Sequence, residues 1–329
     1  MSDTAEQGRT SWSNADLGIP DSGPARFESA HELRRGLAEI GYLADDGIAG
    51  VVYLADRLAK PVLVEGPAGT GKTQLAKSVA ELSNSRLIRL QCYEGLDESK
   101  ALYEWNYRKQ LLRIQAAQIS GGSDDGLRAA SAAQTKDGAA WKHLEEDIFS
   151  EDFLLTRPLL EAIRADEPVV LLVDEVDRVE LETEALLLEV LSEYQVSIPE
   201  LGTVRATRLP MVFLTSNNTR ELSEALKRRC LYLHIDYPGL EREREIVRTR
   251  VPGITDELAD QVARIVQSLR TIELRKAPSV SETLDWARTL VLLGIESIDA
   301  SGARDTLHIL LKYQSDIERA AKELLSAGT

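Results

Sequence analysis

The run Gly66-Pro-Ala-Gly-Thr-Gly-Lys-Thr73 constrains the fold of this chain more than any other feature. It follows residues 61–65, a short apolar run that predicts a buried strand. It precedes residues 74–82, in which apolar side chains recur at helical spacing. A strand, a glycine-rich turn and a helix in this order, with the spacing G-x-x-x-x-G-K-[ST], are typical of a loop that binds phosphate groups. The chain must therefore contain a sheet strand that leads into a helix N-terminus.

The residue types in the loop indicate how phosphate would be held. Glycine allows backbone conformations that turn successive N–H groups toward an anion, and the following helix adds the partial positive charge of its N-terminus. We expect the Lys72 ammonium to reach the β- and γ-phosphates and the Thr73 hydroxyl to hold Mg²⁺. The predicted cofactors are therefore ATP and Mg²⁺. The predicted nucleotide-binding residues are Gly66, Pro67, Ala68, Gly69, Thr70, Gly71, Lys72 and Thr73.

A second informative stretch is residues 167–175, Glu-Pro-Val-Val-Leu-Leu-Val-Asp-Glu. Its apolar run predicts a strand buried on both faces of a parallel sheet, and two carboxylates follow at the C-terminal end, where open α/β sheets bind ligands. We expect Asp174 to bind Mg²⁺, directly or through water, and Glu175 to orient and deprotonate the attacking water. Together with the phosphate loop, this pair predicts hydrolysis of a nucleoside triphosphate rather than an acidic turn.

Two later motifs supply polar groups to the same chemistry. Residues 210–217 predict a strand that ends in Thr-Ser-Asn, and Asn217 there is available to the γ-phosphate or the lytic water. A helix over residues 221–226 is followed by Arg228 and Arg229, which the pattern places between this helix and a last strand. The two arginines form either a solvated cluster or a charge supplied to the nucleotide of a neighbouring subunit.

The remaining elements are predicted from periodicity and from turn residues. Two amphipathic helices with a break near residues 41–43 precede the phosphate loop, and this break is either a resting place for adenine or simple helix packing. Residues 195–204 alternate like a β-hairpin. Helices are expected over residues 101–117 and 153–163, and the Gly- and Ser-rich segment around residues 118–150 is expected to be a mobile surface insertion, more readily a solvated loop than a substrate contact.

The chain divides into three predicted parts. Residues 1–25 have almost no apolar clustering and are expected to form a disordered tail. Residues 26–238 are expected to form the nucleotide-binding domain. From residue 239 the strand patterns stop, so residues 239–329 are expected to form a small helical domain. Its helical patterns lie over residues 258–269, 280–293 and 306–325.

Composition narrows the classes of partner. The formal net charge of −15 argues against a general nucleic-acid or anionic-membrane surface, and no apolar run is long enough to span a membrane. Cys92 and Cys230 are far apart and fit a reducing compartment, while the four histidines lack ligand spacing. The expected location is the cytoplasm, without a membrane span or a nucleic-acid partner.

The order of these parts resembles an AAA+ ATPase module, in which the phosphate loop is called Walker A and the acidic strand end Walker B. The hairpin before the Asn217 strand resembles the MoxR branch. Residues 89–107, 214–223 and 277–286 resemble the CoxD-like subgroup of MoxR proteins. The resemblance implies a P-loop NTPase fold of the α/β class, in which helices sandwich a parallel sheet and a small all-α lid domain follows.

The resemblance also implies roles for individual residues. Lys72 and Thr73 match phosphate and Mg²⁺ contacts, and Asp174 and Glu175 match metal binding and water activation. Asn217 matches the first sensor, and Arg229, with Arg228 beside it, matches an arginine finger that acts in trans. Gln91 falls where related ATPases place a polar residue that restrains the catalytic glutamate. Ser279 stands where relatives often have an arginine, so a second sensor has either moved to Arg275 or Lys276 or is missing.

Family resemblance further implies a homo-oligomeric ring, commonly a hexamer, because the finger comes from a neighbour. It implies a chaperone-like activity that remodels or matures a client complex together with a protein that bears a von Willebrand factor A domain. For the CoxD-like group, the client is a molybdenum enzyme such as carbon monoxide dehydrogenase, which receives its metal cofactor. Two alternatives stay open at this stage. One is a nucleotide-dependent binding switch with little turnover, and the other is a nucleic-acid-directed ATPase of related fold.

Overall fold

The computed structural model of the 329-residue chain describes residues 24–120, 147–298 and 300–326. Most of the predicted tail and most of the predicted insertion lie outside these residues. The strands, in chain order, are β1 (Val62–Glu65), β2 (Arg86–Gln91), β3 (Tyr103–Trp105), β4 (Leu154–Thr156), β5 (Val169–Asp174), β6 (Gln195–Ile198), β7 (Gly202–Arg205), β8 (Met211–Ser216) and β9 (Leu231–His234).

The helices divide between the sheet and a C-terminal bundle. Those that precede the bundle are α1 (Ala30–Glu39), α2 (Asp46–Leu58), α3 (Lys72–Leu82), α4 (Glu98–Ala101), α5 (Tyr107–Ser120), α6 (Pro158–Arg164), α7 (Leu181–Glu193) and α8 (Glu224–Arg229). Those in the bundle are α9 (Leu240–Arg250), α10 (Asp256–Thr271), α11 (Val280–Leu292), α12 (Ala300–Leu310) and α13 (Gln314–Ser326). In the described part of the chain, no helix is both long and apolar enough to cross a membrane.

Within the described residues, the central sheet has five parallel strands in the order β2-β5-β8-β1-β9. Side chains alternate between its faces, so Val170 and Leu172 pack with α1, α2 and α3, while Leu171 and Val173 pack with α6 and α7. The predicted α/β fold, a parallel sheet between helices followed by a helical region, is confirmed. The register brings the carboxyl ends of β1, β2, β5 and β8 to one edge, which is where ligands bind in such sheets.

The bundle has its own core, which is built around the fully buried Trp286. The Trp286 indole N–H donates to Thr306 Oγ1 at 2.7 Å. The prediction of one helix over residues 306–325 was wrong, because α12 ends at Leu310 and α13 begins only at Gln314. Leu310 and Leu311, at this break, are both buried in the core. Both helices contribute to this core, α12 through Leu307 and α13 through Ala320. The predicted boundary between residues 238 and 239 stays a prediction.

Residues 101–117 and 153–163 were both predicted to be wholly helical, and this prediction was wrong. β3 and β4 instead form a two-stranded antiparallel sheet that pairs Tyr103 with Thr156 and Trp105 with Leu154. The helices α5 and α6 follow these strands. Trp105 is buried and meets Phe149 edge-on, with ring centroids 5.3 Å apart. Burial against distant residues, rather than local periodicity, decides the strand conformation here.

The hairpin forms where it was predicted, whereas the helix that bears Arg228 and Arg229 begins later than predicted. β6 and β7 form the predicted hairpin, in which Val196 faces Val204. The predicted helix over residues 221–226 begins later, because the Ser223 side chain caps it at the Leu226 N–H. Arg228 and Arg229 therefore lie in the last turn of α8, not between the helix and the strand as predicted.

Candidate active site

The phosphate loop connects β1 to α3 at the carboxyl edge of the sheet. Gly66 has φ +150°, and a Cβ placed there would lie 2.0 Å from the Ile235 carbonyl oxygen, so only glycine permits this close approach. Gly71 is the N-cap of α3 and provides no side-chain cap. The first N–H groups of a helix lack intrahelical acceptors, so this end of α3 suits an anion.

The Lys72 amine is folded back onto the loop. It donates to the carbonyl oxygens of Gly66 at 2.7 Å and Pro67 at 2.6 Å, and to Asn217 Oδ1 at 2.9 Å. Burial lowers the pKa of Lys72 below its ordinary value, although the carboxylates of Asp177, Asp174 and Glu175 act to raise it. These contacts bring the predicted phosphate-binding lysine and the predicted sensor Asn217 together.

The acidic strand end faces the same loop. Asp174 is 2% exposed, and its Oδ1 accepts hydrogen bonds from Thr73 Oγ1 at 2.9 Å and Thr215 Oγ1 at 2.5 Å. A carboxylate beside a threonine hydroxyl at the end of a phosphate loop is the donor set that Mg²⁺ uses when phosphate oxygens supply its other ligands. Asp174 and Thr73 therefore fit the ion that the sequence predicts.

Glu175 is held in a conformation that few non-glycine residues adopt. Its φ is +59°, and its N–H donates to Thr215 Oγ1 at 2.9 Å. Its carboxylate oxygen Oε2 accepts a hydrogen bond from Gln91 Nε2 at 3.0 Å. The same oxygen forms an ion pair with Arg178 Nε at 3.1 Å. Gln91 therefore contacts the carboxylate that it was expected to restrain; whether it acts as a switch stays a prediction.

Arg89 is a component of this cleft to which sequence reasoning gave no role. Its guanidinium reaches Asp174 Oδ2 through Nε at 3.0 Å and through one terminal nitrogen at 2.5 Å, and that nitrogen also donates to Gln91 Oε1. Arg89 and Gln91 are two residues apart on β2, and Gln91 is the register partner of Asp174 on β5. Strand periodicity could have placed Arg89 and Gln91 on one face, but not against Asp174.

A buried carboxylate positions the loop that carries Asn217. Asp177 Oδ2 accepts hydrogen bonds from the backbone N–H groups of Asn217 at 3.2 Å and Thr219 at 2.9 Å, and from Thr219 Oγ1 at 2.6 Å. Burial acts to raise the pKa of Asp177, but these hydrogen bonds hold it below its ordinary value. Asp177 was not among the predicted site residues.

Some predicted residues lie away from the cleft. Arg228 and Arg229 are exposed at the end of α8, where Arg229 contacts Ser192 Oγ and donates to the Ala225 carbonyl at 3.1 Å. In the C-terminal bundle α9–α13, called the lid from here on, the Arg275 guanidinium stacks on the Tyr313 ring at 4.4 Å, and Lys276 pairs with Glu282 at 2.8 Å. The structure brings none of these four cations to the phosphate loop of their own chain.

Two neighbouring cavities extend from the loop. The first, of about 350 Å³, is lined by charged and polar side chains: Lys72, Thr73, Lys77, Arg89, Asp174, Glu175 and Asn217. The second, of about 180 Å³, lies between the α1–α2 turn and the lid, and its walls include Tyr42, Leu43, Ile246, Val280 and Leu284. Both are bordered by Gly69, Gly71, Gln74 and Ser281, so a polar chamber adjoins a mainly apolar one.

The described residues contain no group of three or more His, Cys, Asp and Glu side chains that could hold a metal ion without further ligands. Mg²⁺ is commonly bound by one or two carboxylates together with substrate phosphates. The pair of Thr73 and Asp174 therefore suits a metal that arrives with its nucleotide.

The part of the chain that forms the sheet side of this cleft matches a known protein family. The model of the AAA domain (dynein-related subfamily) matches residues 61–230, more than half of the chain, from the first residue before β1 to the residue after α8. The chain belongs to this AAA family. The matched segment contains the phosphate loop, Asp174, Glu175, Asn217 and both arginines of α8.

Individual relatives and solved structures were also found. An uncharacterized protein of Staphylococcus aureus (strain bovine RF122) is 23% identical over 250 residues, which cover 73% of this chain and 81% of that protein. One of Staphylococcus haemolyticus is 22% identical over 264 residues, which cover 77% and 86%. A structure of a Thermotoga maritima RuvB mutant has a TM-score of 0.46 at 16% identity and covers 87% of this chain and 73% of that one.

Proposed function

We propose that this AAA protein hydrolyses ATP with Mg²⁺ in the cleft at the carboxyl edge of its sheet. The observation that carries the proposal is the convergence of Lys72, Thr73, Asp174, Glu175 and Asn217 on one cavity of about 350 Å³. These residues come from three separate segments of the chain. Each has the chemical type that phosphoryl transfer to water requires, namely cations, metal ligands, a base and a polar sensor.

The contacts support a proposed role for each residue. Lys72 would exchange its loop carbonyls for phosphate oxygens, and Thr73 and Asp174 would hold Mg²⁺, which would neutralise charge on the phosphates. Glu175 would accept a proton from the attacking water, and Asn217 would contact the γ-phosphate or that water. The adjoining 180 Å³ cavity would take the adenine, with Leu43, Ile246 and Leu284 against the base.

We infer that Arg229, with Arg228 beside it, acts on the nucleotide of a neighbouring subunit. Both arginines are exposed and lie away from their own cleft, whereas a finger is effective only next to the γ-phosphate. AAA+ proteins commonly assemble into rings. We therefore propose that the active form is a ring of six copies of this chain.

We further propose that the ring remodels a client protein in the manner of MoxR-type chaperones, with a partner that bears a von Willebrand factor A domain. The support is the β6–β7 hairpin between α7 and β8, together with the subgroup resemblance of residues 89–107, 214–223 and 277–286. Cofactor insertion into a molybdenum enzyme such as carbon monoxide dehydrogenase is the client reaction that this resemblance suggests.

The test is steady-state ATP hydrolysis measured against protein concentration for the wild type, Glu175→Gln and Arg229→Ala. The proposal expects activity to rise faster than linearly, and both variants to lose about 10²–10⁴-fold of turnover while they still bind ATP. Arg288→Ala, which removes an exposed arginine from α11, serves as the matched control and should retain activity. Equal specific activity in a dilute, monomeric wild type would contradict the ring.

Mixing the two inactive variants separates action in trans from action in cis. A mixed ring contains interfaces at which Glu175 of one subunit meets Arg229 of the next, so partial recovery of activity is expected. No recovery in rings shown to be mixed would contradict the trans assignment.

A second candidate is a nucleotide-dependent switch that turns over little until a partner binds. One observation favours it: the Glu175 carboxylate is held by both Gln91 and Arg178. Under this reading, Gln91→Ala should raise basal turnover, whereas an ordinary ATPase should be unchanged or slower. The same measurement therefore discriminates between the two candidates.

A further inference from the structure

Arg89 makes contacts that a passive surface arginine would not make. Two of its nitrogens converge on one oxygen, Asp174 Oδ2, at 3.0 and 2.5 Å. The other oxygen of this carboxylate is engaged by Thr73 and Thr215. Asp174 is 2% exposed, so solvent weakens its charge interactions little and its hydrogen bonds to the Arg89 cation are strong. Arg89 thus satisfies the oxygen of Asp174 that a metal ion would need.

The same guanidinium reaches a second carboxylate through an intermediate. The nitrogen that lies 2.5 Å from Asp174 also donates to Gln91 Oε1, and Gln91 Nε2 in turn donates to Glu175 Oε2 at 3.0 Å. Asp174, Arg89, Gln91 and Glu175 therefore form one continuous chain of hydrogen bonds across the ends of β2 and β5. Removing the Arg89–Asp174 contact changes the donors around Gln91 as well.

Lys77 shows that a cation in this cleft need not make such contacts. It lies one turn after Thr73 on α3 and lines the same cavity. Among the described residues it has neither a hydrogen bond nor an ion pair to another side chain. Lys77 and Arg89 carry equal charge in one cavity, and only Arg89 holds the predicted metal ligand. The chain thus provides its own control for general electrostatics.

We propose that Arg89 is a tethered cation that holds Asp174 Oδ2 and that Mg²⁺, when it arrives with the nucleotide, must displace from this oxygen. The inference rests on the proposed function, which supplies the nucleotide and the ion. Arg89 is a positioning residue here, because it acts through Asp174 and Gln91. Its displacement couples occupancy of the metal site to the hydrogen bond that holds Glu175.

The test measures binding of a fluorescent ATP analogue by the full chain while Mg²⁺ is titrated. Arg89→Met removes the tethered charge and keeps the aliphatic stem, so the half-saturating Mg²⁺ concentration should fall about fivefold. Lys77→Met should lower the half-saturating Mg²⁺ concentration by less than about twofold, because solvent and salt screen the interaction of the Lys77 charge with the ion. Arg89→Lys, which offers a point charge without the forked geometry, should lie between the wild type and Arg89→Met.

A double-mutant cycle tests the coupling to Gln91. The effects of Arg89→Met and Gln91→Leu on half-saturating Mg²⁺ should be non-additive by about twofold or more, because the two side chains share a hydrogen bond. Strict additivity would overturn the coupling.

The outcomes separate this inference from the function on which it rests. Equal shifts for Arg89→Met and Lys77→Met, with Lys72→Ala still abolishing binding, would overturn the tethered cation and leave the ATPase proposal standing. If the wild type failed to bind the analogue at all, both proposals would be overturned. If Arg89→Met failed to fold, as judged by its thermal melting without metal, Arg89→Lys would decide: a half-saturating Mg²⁺ concentration equal to that of the wild type would contradict the inference.

Discussion

The two walls of the cleft are built differently. On the sheet wall, Asp174 alone is held by three side chains, and Glu175 by two more. On the lid wall, the Ser281 N–H donates to the Gly69 carbonyl at 3.3 Å, and the neighbouring surfaces are the aliphatic side chains of Val280 and Leu284. Charge and hydrogen-bond geometry are concentrated on the sheet wall, whereas the lid wall offers shape and apolar contact. We therefore expect the first wall to control turnover and the second to control affinity.

Buried polar contacts join the helices of the lid, which is a further difference between the two walls. Glu243 is fully buried and forms an ion pair with the nearly buried Arg270, while Thr283 donates to the same carboxylate at 3.0 Å. Arg270 also donates to the Pro278 carbonyl just before α11. These contacts tie three helices of the bundle together, so the face that meets the phosphate loop keeps its shape as a unit.

The largest effect is expected on the sheet wall, for Asp174→Asn. The substitution preserves shape but removes the charge that would hold Mg²⁺, so ATP turnover should fall by at least about 100-fold. Steady-state hydrolysis at saturating Mg²⁺ and ATP is the measurement. Asp236→Asn, at an exposed aspartate after β9, should change turnover little. A loss of less than about tenfold for Asp174→Asn would contradict the assignment of chemistry to this wall.

The contact between the walls is tested by Gly69→Ala. Gly69 has φ +74°, and an added Cβ would lie 2.5 Å from Ser279 Oγ, so the loop or the lid must shift. Gly95→Ala is a matched control, since Gly95 has φ +77° but no neighbour within 4 Å. Backbone strain alone should destabilise the control by about 1 kcal/mol, and Gly69→Ala by about 2–3 kcal/mol. Urea unfolding would measure both losses of stability. Equal losses for the two variants would contradict a close contact between the phosphate loop and the lid at Gly69.

A smaller effect is expected from Leu284→Ala on the lid wall. The substitution removes apolar surface from the 180 Å³ cavity, so affinity for ATP should weaken about five- to tenfold while turnover at saturation stays within about twofold. Leu292→Ala, on the same helix but 84% exposed, should change neither. A fall in saturated turnover without a change in affinity would break the proposed division between the walls.

The last prediction concerns the two thiols and needs no substitution. Burial raises the pKa of both Cys92 and Cys230 to about 12, so the reactive thiolate is scarce at neutral pH and grows only as pH rises toward that value. Alkylation by iodoacetamide at pH 8 should be slower than in the unfolded chain by about 10²-fold or more. The Cys92 N–H donates to the Asp174 carbonyl, so its protection reports on the sheet wall. Lid substitutions should leave it unchanged, and rapid labelling of Cys92 in the folded wild type would contradict the packing.

Several features could be predicted from the sequence because their causes are local. The phosphate loop lies between β1 and α3 because a few neighbouring residues encode the strand, the turn and the helix N-terminus. The apolar run of β5 predicts both its burial and the position of Asp174 and Glu175 at the carboxyl edge. The β6–β7 hairpin follows from alternation over ten residues. In each case, periodicity and turn chemistry act within a short window.

Other features were decided only by the tertiary structure. β3 pairs with β4 across about fifty intervening residues, and the register of β2 on β5 brings Arg89 and Gln91 against two carboxylates more than eighty residues away. The burial of Leu310 and Leu311 turns one predicted helix into two. Such pairings depend on which surfaces meet after the chain has closed long loops, and no local pattern carries that information. The sequence alone thus determined the parts of the site, and the fold decided which of them touch.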